Sequence, residues 1–409
     1  MHLLRRFSRD RCGNIAIAFA AVVIPVIFAA GIAVDFGRAF KTRTALQGAT
    51  DAAALAVAKA KGLSEGERKT LGQKAATANF GTDVTTNISI VGDTVTVTAN
   101  YDVPATFTRI LRNSDIPIGV GSVANGPSTK LCVLLLDPSD IALNVNSYSS
   151  LNADCGLHIN SENEEALYVN SYADVIASSV CIKGQANINS GSTVSPDPGS
   201  GCFPMKDPLA TLPEPYNADD PCDHTDYKVS SGETKTMWPG VYCKKTLVEN
   251  GGTAIMQAGI YVFREGAFEI NSGASVSGSG VMLFFKDKDA FLKVNSDSEI
   301  QVSAPMSGTY AGILMFQSRD LETLNAPPHI INSDSSTILE GVIYMPNGVL
   351  EVNSHSDANR SAAWTAIIAR RMVVNSDGTF HVNSDYSSGP PYPSDLSEFD
   401  IVPLVWLTE

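Results

Sequence analysis

Apolar and polar positions follow three rhythms along this chain, and each predicts a different kind of element. The first is an unbroken apolar run: Ile15 to Val34 (IAIAFAAVVIPVIFAAGIAV) holds 20 residues without a charge. At 1.5 Å per residue, a helix of that length spans the ~30 Å hydrocarbon core of a bilayer. Arg5, Arg6, Arg9 and Arg11 precede it and predict an amino terminus held in the cytoplasm. A cleavable signal peptide is the competing reading. Its apolar region would be unusually long, and Gly31-Ile32-Ala33 is a poor cleavage site, so the span is expected to stay as an anchor.

The second rhythm is helical. Small or apolar residues recur at Ala39, Thr42, Leu46, Ala49, Ala53, Ala56 and Ala60, so the helix is expected to continue past the membrane. That stripe could dock a partner helix; the expectation is that it packs on the protein's own strands. Alternation then takes over: Asn87 to Val91, a turn at Gly92-Asp93, and Thr94 to Thr98 predict a hairpin. Val103 to Ile118 adds a helix or another strand. Residues 37–129 therefore read as a small α+β stalk, one long helix on a short sheet.

The third rhythm begins at Lys130. A Val/Ile-Asn-Ser tripeptide recurs at Asn146, Asn160, Asn170, Asn189, Asn271, Asn295, Asn332, Asn353, Asn375 and Asn383. Several intervals lie near twenty residues, which is the signature of a solenoid. The interval of 37 from Asn295 to Asn332 reads as a double coil, and the intervals of 8, 10 and 14 as coils that carry the motif on more than one side. In a parallel β-helix the same position of successive coils stacks at ~4.8 Å. Val or Ile then forms an aliphatic column, and Asn forms an amide ladder while tolerating a left-handed corner. About twelve coils are expected over residues 130–400, a rod on the order of 60 Å. Seven prolines between Ser190 and Lys228 (Pro196, Pro198, Pro204, Pro208, Pro213, Pro215, Pro221) rule out central strands there. Residues of about 190–230 are expected to be a surface excursion pinned by disulfides.

The architecture predicted is mainly β: a basic cytoplasmic head (1–14), a single amino-terminal transmembrane helix (15–36), the α+β stalk (37–129) and the β-solenoid (130–400). Composition agrees, with charged residues at only 18% and turn formers plentiful. The net charge of −14 is split between a head at +5 over residues 1–45 and a body near −19. An acidic body offers no basic stripe for nucleic acid.

Of seven cysteines, Cys12 precedes the span and Cys132, Cys155, Cys181, Cys202, Cys222 and Cys243 follow it. An even number beyond the membrane suits three disulfides, with fifteen pairings open. Sequence proximity suggests Cys222 with Cys243 and Cys155 with Cys181, leaving Cys132 with Cys202.

The head Arg9-Asp-Arg-Cys-Gly13-Asn-Ile-Ala-Ile-Ala-Phe, Val34-Asp-Phe-Gly-Arg, and Leu46-Gln-Gly-Ala-Thr-Asp-Ala-Ala-Ala-Leu-Ala resembles, in that order, the amino-terminal region of TadG-like proteins of the bacterial tight-adherence (Flp) pilus system. The likeness covers about residues 8–60. Gly240-Val-Tyr-Cys, Ala258-Gly-Ile-Tyr-Val-Phe, Ala274-Ser-Val-Ser-Gly-Ser-Gly-Val and Ser303-Ala-Pro-Met-Ser-Gly-Thr-Tyr-Ala-Gly-Ile are similar to the carboxyl-terminal part of some members. The resemblance implies a role in pilus assembly and surface adhesion. It also implies a single-pass protein of the bacterial inner membrane whose carboxyl-terminal domain is periplasmic or surface-exposed. Its partners would be the membrane, pilus-assembly proteins of the same system and surface glycans. Two departures stand out. Related pilins are cut after a Gly and carry Glu five residues later, where this chain has Ala18 after Gly13. The metal motif of relatives with a von Willebrand A-type domain, Asp-x-Ser-x-Ser, is incomplete at Asp137-Pro138-Ser139-Asp140-Ile141, which reads as a turn.

A β-helix can also be a carbohydrate-binding or carbohydrate-degrading protein of the cell envelope, so paired carboxylates matter. Asp297, Asp334, Asp357, Asp377 and Asp385 follow repeat motifs and read as a solvated acidic face. Glu164-Glu165 and Asp219-Asp220 read as loop charges, and Cys222-Asp-His224-Thr-Asp as a disulfide loop. No nucleophile elbow, phosphate loop or dinucleotide fingerprint occurs. The expectation is a non-catalytic protein without catalytic residues, metal or cofactor.

Overall fold

A computed structural model describes residues 13–60, 63–92, 94–125, 129–321, 326–332, 337–353, 355, 357–397, 400–401 and 406–408. The basic head with its four arginines and Cys12 lies outside them, as do Asp93, Ser333, Asp334 and Ser354. The chain divides into two units. Met1–Ala58, Ser64–Gly126 and Val405–Glu409 form one, Lys59–Leu63 and Pro127–Leu404 the other.

In the first unit, helix α1 (Gly13–Lys59) is continuous over 47 residues and carries Pro25 within it. Ala39, Leu46, Ala49 and Ala53 of the expected stripe are buried. The side of α1 that includes Ala39, Leu46 and Ala53 shares a core with Val95, Val97, Ala99 and Ile118, so it faces the protein's own sheet. A second helix, α2 (Glu65–Phe80), joins it. Ser64 and Glu67 form a reciprocal capping box at its start, and Gly81 closes it at φ 82°. Gly72 lets α2 approach closely: a Cβ there would stand 2.5 Å from Cγ2 of Val57 and 2.6 Å from Cδ1 of Ile88. The expectation of one long helix on a sheet is thus corrected to two helices. Strands β1 (Thr86–Val91) and β2 (Thr94–Val103) pair antiparallel with Ile88 opposite Val97. Residues 103–118 supply both elements left open: a short helix α3 (Thr108–Arg112) and the start of β3 (Ile116–Asn125). A carboxyl-terminal strand (Trp406–Thr408) pairs antiparallel with β3, so the sheet has four strands with the far end of the chain at its edge.

The second unit is a parallel β-solenoid. Each full coil carries three short strands, as in Gly240–Cys243, Thr246–Val248 and Thr253–Met256. Its rungs do not stack in chain order. Residues 131–188 build three rungs in succession, through Leu157 on Val133 and Val180 on Leu157. Residues 224–374 build seven more, and the last lands on the first: Ile367 pairs with Val133 and Val374 with Val145. The described residues therefore hold ten rungs rather than about twelve, a stack on the order of 45 Å at the ~4.8 Å strand spacing. The chain enters the stack between rungs, builds to one end, crosses to the other end, and fills back to its point of entry. The 37-residue interval is one coil and not two, because Lys293 and Val294 pair directly with Ile330 and Ile331, and the strands Glu299–Ser303 and Ile313–Gln317 between them belong to the same turn of chain.

Val145, Val169, Val248, Ile270, Val294, Ile331, Val352 and Val374 form the expected aliphatic column, all buried on the second strand of their coils. First strands such as Val281–Phe285 and Ile313–Gln317 are buried along their whole length. A strand reads this way when both of its faces are covered.

Candidate functional site

Eight of the ten repeat asparagines occupy one corner of successive coils, immediately after the aliphatic column. In space the order runs Asn271, Asn295, Asn332, Asn353, Asn375, Asn146, Asn170, Asn189; from Asn295 onward each backbone N–H donates to the carbonyl preceding the Asn one rung back, and Asn271 donates to Val248, which precedes Glu249. The side chains interlock at several steps: Asn295 Nδ2 donates to Asn271 Oδ1 at 3.1 Å, Asn353 to Asn332 at 3.0 Å, and Asn375 to Asn353 at 3.0 Å. Asn160 and Asn383 do not belong to this column. Asn160 grips residue 205, with Nδ2 donating to Met205 O and Oδ1 accepting from Met205 N, both at 2.8 Å. Asn383 sits at another corner and donates to the carbonyls of Arg360 and Ala362. The short intervals in the repeat arise from these two.

The left-handed residues of the corner stand beyond the Asn, not at it: two places on, Tyr148, Tyr172, Asp297 and Asp377 all have φ near +60° and Gly191 and Gly273 take the same place elsewhere, and one place on Ser147, Ser171 and Ser376 are left-handed too. Asp297 and Asp377 are therefore corner residues. Asp357 pairs with Arg360 at 2.7 Å, and Asp385 accepts from the Ser387 amide at 3.2 Å. Among the described residues no three His, Cys, Asp or Glu side chains gather as a metal site would need.

The proline-rich excursion is a strap laid along the outer face of the first strands. Cys202 is bonded to Cys181, and Cys222 to Cys243, so a disulfide stands near each end. Cys155 pairs with Cys132 and not with Cys181, which corrects both the expected Cys155–Cys181 pair and the Cys132–Cys202 pair. The pairs found are neighbours in the chain, separated by 23, 21 and 21 residues, so proximity applied from Cys132 onward would have given them: successive rungs bring Cys132 over the coil turn at Cys155, and the strap takes Cys202 back past Cys181. Between the disulfides, Tyr344 donates to Asp207 at 2.7 Å, Arg319 donates to the carbonyls of Leu209 and Leu212, and Lys286 meets Glu214 at 3.2 Å. Met205, Leu209 and Ala218 share a core with Val262, Phe284, Phe316 and Tyr344. The strap is the cover that allows those strands to be apolar on both faces.

At the seam between last and first rungs, Asp137 is fully buried. Its Oδ1 accepts from the amides of Ser139 and Asp140, and its Oδ2 from Nε of Arg370 at 2.7 Å and Nε of Arg371 at 2.6 Å. Burial works to raise this carboxyl, but the two amides and two guanidinium groups outweigh it and bring the pKa down to about 2. The Asp137-Pro-Ser-Asp segment is a turn that clamps the seam.

A groove of about 890 Å³ opens where the strap passes the corners of the coils. Pro213, Glu214, Tyr216, Ile260, Met306 and Tyr310 line it, with Tyr216 90% exposed. Its carboxylate is engaged, since Glu214 accepts from Ser318 at 2.6 Å and pairs with Lys286. Such a lining can hold an apolar or ring-shaped surface, and Lys286 also meets the exposed Asp219 at 3.6 Å.

The first unit carries its polar chemistry on α1. Asp35 is buried and accepts from the amides of Thr106, Phe107 and Thr108 at 3.2, 2.7 and 2.7 Å. More than three turns beyond, Gln47, Thr50 and Asp51 converge on Ser122 of β3 at 2.6–3.0 Å. By contrast Phe19, Val22, Ile24, Val26, Ile27, Val34, Phe36 and Phe40 are exposed large apolar side chains. Within the described residues, α1 is long and apolar enough to cross a membrane.

Residues 13–60 match the family model described as "Putative Flp pilus-assembly TadE/G-like". The chain thus carries a TadE/G-like amino-terminal domain, and Asp35, Gln47 and Asp51 of the recognised segments are the residues that tie it to its sheet. No curated protein and no solved structure matched the chain.

Proposed function

We propose, from the TadE/G-like domain at residues 13–60, that this chain is a single-pass inner-membrane protein of the Flp/Tad pilus system. In this reading it supports pilus assembly and surface adhesion without catalysing a reaction. The observation that carries the reading is the division of labour along α1: its first part exposes apolar side chains, and its later part is tied by Asp35, Gln47 and Asp51 to a folded unit. The arginines ahead of the span and the disulfides after it support a cytoplasmic amino terminus and a periplasmic or surface-exposed solenoid. A stack of rungs, cross-linked and strapped, is suited to holding a surface at a distance, since each rung is fixed by its neighbours.

The test is a deletion strain complemented with the intact chain, scored for pili and for attachment to a surface. Pili and attachment should both fall on deletion and return with the gene; unchanged pili in the deletion strain would overturn the assembly role. The groove lined by Tyr216, Met306 and Tyr310 favours a second reading, a carbohydrate-binding protein of the envelope. Binding of the purified chain to a glycan panel, lost in Y216A, would support it.

A further inference from the structure

We propose that the segment from Phe107 through α3 dips into the outer leaflet of the bilayer beside α1, making the first unit a membrane-seated platform. The inference rests on α1 crossing the membrane. Gly31 lies three residues before Val34, the last of the apolar run, hence ~5 Å inside its end. The ring of Phe107 lies directly on it: a Cβ at Gly31 would stand 2.3 Å from Phe107 Cγ. Phe107 is therefore at the depth of the last turn of the span. Asp35, one turn further on, holds the amides of residues 106–108, so the segment cannot stand away from the helix.

The same three bonds make insertion chemically acceptable. Backbone donors that enter lipid must be satisfied within the protein, and the amides opening α3 are satisfied by the Asp35 carboxylate. Ile110 on α3 is 65% exposed, and Val34 and Phe36 of α1 are exposed too, so both elements present apolar side chains outward, with Arg109 beside Ile110 able to reach up to the headgroups. Arg38, Lys41 and Arg43 follow, exposed, where anionic headgroups would meet them. An amphipathic segment with apolar residues below and cations above is what the interface of a bilayer receives.

The test uses the full chain in vesicles of phosphatidylethanolamine and phosphatidylglycerol that contain lipid bearing a nitroxide near the top of its acyl chain. A polarity-sensitive fluorophore is attached at I110C, V26C or K74C, each in a C12S background with the other cysteines left in their disulfides. Fluorescence at V26C and I110C should be lost to the nitroxide, and that at K74C, exposed on α2, retained. Quenching at V26C with I110C no more quenched than K74C overturns the insertion while α1 remains a membrane helix. No quenching at V26C overturns both.

Discussion

Arg370 donates from Nε to Oδ2 of Asp137 over 2.7 Å, although 233 residues separate them in the chain. The bond joins the last rung to the first, across the seam where Ile367 pairs with Val133 and Val374 with Val145 although the chain enters the solenoid there. Asp137→Asn keeps the side-chain volume and an oxygen for the turn, but leaves Arg370 and Arg371 facing a neutral amide. Breaking a fully buried pair costs about 3–5 kcal/mol. The two arginines retain 20% and 30% of their side-chain exposure, so the loss expected here is smaller, ~2 kcal/mol. Urea unfolding of the full chain in mild detergent measures it. Hydrogen exchange should show the amides of 131–145 and 365–374 losing protection together.

The same carboxylate predicts an acid limit. Its pKa is brought down from 3.8 to about 2 in the folded chain, so the folded state favours the ionised form. That contribution is complete above pH ~4 and is lost as pH falls through ~2. Stability of the parent should therefore decline across that window by more than stability of D137N does. Parallel profiles would show that Asp137 does not titrate with folding.

Peptide mapping under non-reducing conditions should recover Cys132–Cys155, Cys181–Cys202 and Cys222–Cys243, with no cross-pairing. Each closes a loop of a size that contributes ~3 kcal/mol. Removing Cys181–Cys202 as the double Ser variant should free the strap at one end. Amides near Met205 and Leu209 should then exchange faster, while those of residues 222–243 hold.

Much of this was legible because solenoid order is written in single columns. The aliphatic residue before each Asn, the prolines of the strap and the hairpin at 87–98 announce themselves through period, breaker and alternation. What could not be read is which rung neighbours which. Val374 on Val145 is invisible to any periodicity, because the repeat looks the same whether the chain stacks in order or closes on itself. The intervals of 8, 10 and 14 did announce that some copies leave the column, and the structure identifies them as Asn160 and Asn383. Helix α2 was legible in principle, since Ser64 and Glu67 spell a capping box, but its polar surface gave no apolar stripe to support it.

At the base of the first unit, Asp35→Ala removes the acceptor of three amides at once. The expected outcome is faster hydrogen exchange at residues 106–108 with the core amides of β2 unchanged. Asp35→Asn should fall between, because its amide oxygen can accept but carries no charge. Gly31→Leu should perturb the same segment from the other side, by driving a side chain into the Phe107 ring. Unchanged exchange at 106–108 in all three variants would mean that the segment is held by something other than α1.

Asn353 tests whether the corner column stabilises the rungs or only decorates them. Its Nδ2 donates to Asn332 Oδ1 at 3.0 Å and to Glu351 Oε1 at 2.7 Å, and its Oδ1 accepts from Asn375 at 3.0 Å. Asn353→Ala leaves one amide donor and two acceptors without that partner in a half-buried corner. An unsatisfied buried group costs roughly 1–3 kcal/mol, and partial access of water argues for the lower end, ~1 kcal/mol. Asn353→Asp removes the donor and sets a carboxylate against Glu351, so its loss should be at least as large at neutral pH and should shrink once the acid is protonated. Asn189 is the control. It closes the column in the end rung, is exposed, and among the described residues its side-chain amide donates to Tyr168 alone, at 3.2 Å, so Asn189→Ala should cost less than about 0.5 kcal/mol. A graded series, interior above end, is what a ladder requires. If Asn353→Ala and Asn353→Asp unfold with the parent in urea, the tripeptide is a surface feature and the aliphatic column beneath it carries the stack alone.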